Sequence, residues 1–222
     1  MKTKLPLLFD AERTVRRVHA ELLDGERGAL LEALEGEART ALASGEDEDA
    51  NTRLVRIAAL LGDLEGPRVV DLLIDILAGE SSEARAVAGE ELEGIAFERF
   101  KEVALGIERA LERLPASSLA LQELPYLLAE VAEPGCVKLL GKFLLLADPE
   151  AVASAIEALA ELGDPSAAHL LAPLERDKRQ VDVDDEEGGA RVTLGELAHE
   201  ARELLSKVDA CGGESRSGAK KR

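Results

Sequence analysis

The chain has 222 residues, 46% hydrophobic and 32% charged, enough apolar material for a core without metal or disulfide support and too much for a disordered polymer. Aromatic residues are only 2%, so that core has to be built from Leu, Ala, Val and Ile, which suits close-packed helices. The formal charge is −18, and outside Asp209–Arg222 there remain 23 basic and 43 acidic groups, a net −20 that repels phosphate backbones and anionic membranes.

The opening, MKTKLPLLFD, holds five apolar residues before Asp10, too short a run for the core of a secretory signal, and no later stretch reads as a membrane span. The cytoplasm is the expected location. Asp10 is placed to cap a first helix with Ala11, Val15, Val18 and Leu22 at helical spacing. Asp24-Gly25 breaks it, and a second helix carries Leu30, Leu34, Ala38 and Leu42 up to Ser44-Gly45. The acidic run 46–49 reads as an exposed loop. Residues 1–50 are thus expected to form a capping helix pair.

From Thr52 the pattern becomes regular. Leu54, Ile57, Ala58 and Leu61 form one stripe, Gly62 to Pro67 turns the chain, and an apolar helix spans Arg68 to Ala78. Its polar residues Arg68, Asp71 and Asp75 fall on one line. A helix from Ser81 or Ser82 to about Gly94 and a mate from Phe97 to Leu114 follow. Ser117 or Ser118 starts another, ending near Ala132, in which Pro125 marks a kink or the true start. Its mate is expected over Cys136 to Leu146. Asp148-Pro149 and Asp164-Pro165 then open two more helices. Val181-Asp182-Val183 and Ala190-Arg191-Val192 read as a hairpin inserted at about 177–192, with an acidic turn from Asp184 to Gly189. Thr193 with Glu196 makes a capping box for a closing helix buried through Leu194, Leu197, Ala198, Ala201, Leu205 and Val208. The last segment, 209–222, is basic at its end and expected to be disordered.

The unit Asn51–Glu80 and the unit Asp148–Asp177 share one plan: an apolar helix, a Gly-Asp corner at Gly62-Asp63 or Gly163-Asp164, and a second apolar helix. Copies of such a unit have to stack to bury their stripes. The run Asp148, Val152, Ala155, Ala158-Leu159, Leu162-Gly163-Asp164, Ala167, Leu170 and Leu174 resembles a HEAT repeat of the bacterial, phycobilisome-lyase type. The resemblance covers about 51–208 and implies an all-α, HEAT-like solenoid. It also implies that second helices line a concave face, making Arg68, Asp71, Asp75, Lys138, Lys142 and His169 the candidate partner contacts.

Chemical sites fare poorly against the same residues. A calcium loop counted from Asp182 has Glu187 at the sixth position and Thr193 at the twelfth, where glycine and glutamate are required. His199-Glu200 is similar to the His-Glu pairs of deoxyhypusine hydroxylase, but one pair does not complete an iron site. Asp164, Ser166 and His169 are explained by helix capping rather than by a triad. Cys136 and Cys211 give no disulfide framework, and a DNA-repair role lacks aromatic residues and a basic face. No catalytic residue, metal or cofactor is therefore expected. The expectation is a non-enzymatic, bacterial adaptor or scaffold that binds a protein with a basic surface, neither nucleic acid nor membrane. An immunity protein masking a basic toxin is a sharper version. Its rivals are a lyase- or hydroxylase-like enzyme and a self-associating repeat protein.

Overall fold

The computed structural model describes residues 4–45, 47–183 and 190–214. The chain divides into two compact units, Met1–Ile95 and Ala96–Arg222. Among the described residues it is all-α, apart from one two-stranded hairpin.

In the first unit α1 spans Lys4–Leu23, α2 Arg27–Leu42, α3 Glu48–Gly62 and α4 Pro67–Leu77. α2 packs on α3, α3 on α4, and α2 also reaches α4, so each helix buries its stripe on the next. The stripe Leu54, Ile57, Ala58 and Leu61 is buried as its spacing requires. α4 buries Val69, Val70, Leu72, Leu73, Ile74, Ile76 and Leu77, at about 1.5–3 kcal/mol for each large side chain taken from water. Pro67 supplies its first turn, where the missing N–H has no intrahelical partner to lose.

Several expected boundaries move. α1 starts at Lys4, so Asp10 lies inside it and pairs with Arg13 instead of capping. The acidic run is not a plain loop. Asp47 accepts a hydrogen bond from Ala50 N (2.9 Å), and Glu48 and Asp49 occupy the first turn of α3, where the helix dipole favours negative charge. Glu46 lies outside the described residues. The expected division after residue 50 consequently falls within α3.

α5 runs from Ser82 to Arg113. No break occurs at Gly94. The non-helical backbone lies at Arg99 (φ −137°, ψ 50°), because a single glycine costs a helix only about 1 kcal/mol and packing overrides it.

In the second unit α6 spans Leu119–Val131, α7 Cys136–Phe143 and α8 Pro149–Leu162. α6 continues through Pro125, which is buried, and ends at Ala132 in the left-handed region (φ 50°). α7 stops at Phe143, short of the expected Leu146, and Leu145 is left 85% exposed. α8 is buried on nearly every side, by α6, α7, the closing helix and the first strand, and its small residues Ala151, Ala153, Ser154, Ala155 and Ala158 permit that crowding. Gly163 ends it at φ 63°, a conformation that costs glycine nothing.

The partner expected after Asp164 is not one helix. A 3-10 turn (Pro165–Ala167), a four-residue α9 (Ala168–Leu171) and a second 3-10 segment (Ala172–Arg176) take its place. Pro173 prevents a continuous ladder. Leu171 is the leucine fully buried there, while Leu170 and Leu174 are half-buried. Strands β1 (Gln180–Val183) and β2 (Ala190–Thr193) pair antiparallel, with Val181 opposite Val192 and Asp182 opposite Arg191. The acidic turn 184–189 lies outside the described residues. The Thr193–Glu196 capping box forms: Thr193 N donates to Glu196 Oε2 (2.8 Å) and Glu196 N to Thr193 Oγ1 (3.2 Å). It opens α10, Leu194–Glu214, which buries Leu194, Ala198, Ala201 and Leu205. This helix passes the expected end at Val208. Residues 215–222, the rest of the expected tail, lie outside the described residues.

Candidate functional site

A cleft of about 730 Å³ opens in the first unit. One wall is α2, through Glu35, Arg39 and Leu42. The other is α4, through Arg68, Asp71, Leu72 and Asp75, and the corners Gly45 and Gly79–Glu80 close one end. The helical spacing that buries Leu34 and Ala38 on α2 turns Glu35 and Arg39 to the cleft. On α4 the same geometry buries Val69, Val70, Leu73 and Ile74 and leaves Arg68, Asp71 and Asp75 along the rim. Four carboxylates and two guanidiniums therefore face one space.

Charge in the cleft is organised. Arg68 Nε donates to Glu35 Oε1 (2.8 Å) and Arg68 Nη2 to Glu35 Oε2 (2.7 Å), a two-pronged pair tying α4 to α2. The hydrogen bonds from Arg68 hold the Glu35 carboxyl below the ordinary carboxylate range and raise the guanidinium further. Arg68 is thus largely neutralised as a contact, and the balance of the cleft is acidic through Asp71, Asp75 and Glu80. The floor is tight, since a Cβ on Gly79 would meet Leu42 Cδ2 at 2.9 Å.

Arg68, Asp71 and Asp75 are brought together here. Lys138, Lys142 and His169 belong to the second unit and do not line this cleft. Lys142 on α7 donates to Glu108 Oε1 (2.6 Å) and lowers that carboxyl, with Lys138 adding to the effect. His169 sits on the short α9, exposed, with Nδ1 against the Ser166 carbonyl. Asp164 accepts a hydrogen bond from Ser166 N (2.8 Å), the capping geometry, so Asp164, Ser166 and His169 are joined through the backbone. Glu35, Arg39 and Glu80 were missed from the sequence. The pair Glu35–Arg39, one turn apart beside the buried Leu34 and Ala38, is the signal that was there to read.

The remaining chemistry is dispersed. His199 lies 3.6 Å from Glu175 and from Glu203, beside a shallow 470 Å³ hollow lined by Glu175, Thr193, Gly195 and Glu196. His19 Nε2 shares a 2.8 Å hydrogen bond with Asp63 Oδ2. Glu91 is pushed up by burial and by Asp63. Tyr126 donates to Glu157 Oε2 (2.6 Å), and burial and that carboxylate raise the phenol to about 12. Cys136 is a buried free thiol, raised by desolvation. Among the described residues no three or more His, Cys, Asp or Glu side chains are grouped so as to hold a metal ion, and no helix is long and apolar enough to cross a membrane.

No protein-family model matches the chain, and no curated protein does. Among solved structures it is similar to an engineered protein (22% identity, 86% of this chain and 89% of that one, TM-score 0.37). It is also similar to a designed armadillo repeat protein (15% identity, 85% and 98%, TM-score 0.35). A third is human deoxyhypusine hydroxylase in complex with glycerol (15% identity, 90% and 97%, TM-score 0.34). Their lengths are nearly spanned, but at these scores none bears on what the chain binds. The helix-pair architecture rests on the chain's own packing.

Proposed function

We propose that this protein is a non-catalytic binding module, an adaptor or scaffold of HEAT-like helix pairs, that holds a basic segment of a protein partner in the α2–α4 cleft. The supporting observation is the cleft's charge: Glu35, Asp71, Asp75 and Glu80 line it against Arg39 and Arg68, an excess of carboxylates. A lysine or arginine side chain entering there exchanges water for carboxylates presented by α4 and the corner that follows it. The surrounding charge of −18 steers such a partner in and turns anionic ones away. An immunity protein masking a basic toxin is one form this role takes. Lys138, Lys142 and His169 are left outside the reading, since they do not line the cleft.

The test is co-purification from the source cells with wild-type protein and with Asp71→Lys/Asp75→Lys, followed by mass spectrometry of what is retained. A basic partner bound in stoichiometric amount by the wild type, weakened by salt and lost from the variant, is the expected result. Equal retention by both proteins overturns the cleft. A stoichiometric metal or chromophore on the purified wild type overturns the non-catalytic reading in favour of a lyase- or hydroxylase-like enzyme.

A further inference from the structure

We draw no further inference here: the strongest candidate, the exposed apolar face of α1 formed by Leu8, Val15, Val18 and Leu22 beside Arg56 and Leu60 of α3, carries nothing, because nothing in the structure shows what covers it.

Discussion

Arg68 on α4 grips Glu35 on α2 with two nearly equal hydrogen bonds, 2.8 and 2.7 Å, across thirty-three positions of sequence. The pair ties the two cleft walls together and balances one cation of the cleft with one of its carboxylates. Because the pair depresses the Glu35 carboxyl, the folded state favours its ionised form. That contribution is present above the ordinary carboxylate range and is lost as pH falls through the lowered pKa. Arg68→Ala should return Glu35 toward its ordinary titration and flatten the acid side of the stability profile. Urea midpoints between about pH 3 and 7 check the slope, and carboxyl NMR of Glu35 checks the cause.

Glu91 behaves in the opposite sense. Its carboxylate packs over Gly62, where a Cβ would collide with it, and burial first and Asp63 second push its pKa up. The folded state then prefers the protonated acid, so its contribution is full below the ordinary value of 4.5 and is lost as pH rises through the raised pKa. Glu91→Gln should therefore raise Tm at neutral pH, and the gain should vanish on acidification. A gain that persists in acid would assign the effect to packing rather than to charge.

Asp148 caps α8 by accepting from Ala151 N (3.0 Å), and Gln122 Nε2 donates to the same oxygen (3.4 Å). Asp148→Ala should cost about 1 kcal/mol. Asp148→Asn, which keeps an acceptor, should recover most of it. Chemical denaturation of the three proteins checks the order.

Arg179 fastens the hairpin to the α7–α8 connection. Its Nη1 donates to the Leu146 carbonyl (2.9 Å) and the Ala147 carbonyl (3.0 Å), while Nε and Nη2 bond Asp177. Charge-assisted bonds of this kind contribute about 1.5–3 kcal/mol each, net of the bonds to water they replace, and less where the side chain is part-exposed as here. Arg179→Ala should speed amide hydrogen exchange in β1 and β2 and leave α3 and α4 unchanged.

Phe143 is fully buried at the end of α7. Phe143→Ala should cost about 3–5 kcal/mol through lost transfer energy and a residual cavity. Exchange should accelerate across α6, α7 and α8, the helices that pack together there.

Local rules carried the reading where local chemistry decides the outcome. Asp148, Gly163 and the Thr193–Glu196 box lie where their capping and turn chemistry puts them. Stripes such as Leu54–Leu61 are buried because residues three and four apart share one face of a helix, and that face is the apolar one. Where several local signals competed, packing chose. Gly94 looked like a corner and became mid-helix, while the backbone departure fell at Arg99, which no residue type announced. Asp10 looked like a cap, yet the helix had already begun at Lys4. Pro173 was the overlooked signal for the broken α9 region, since its ring excludes a continuous ladder whatever the apolar spacing.

The sequence by itself determined an all-helical chain with one late hairpin, a net charge of −18, and the line Arg68–Asp71–Asp75 on the polar side of one helix. Period, capping and net charge are properties of a few residues or of a sum, and they need no partner in space. Only the tertiary structure decided that this line faces Glu35 and Arg39 across a cleft. It also decided that Arg68 is spent on Glu35, that Lys142 is spent on Glu108, and that α1 keeps its apolar seam uncovered. Those outcomes depend on which helices touch, and contact between residues thirty or more positions apart is set by the packing of whole faces.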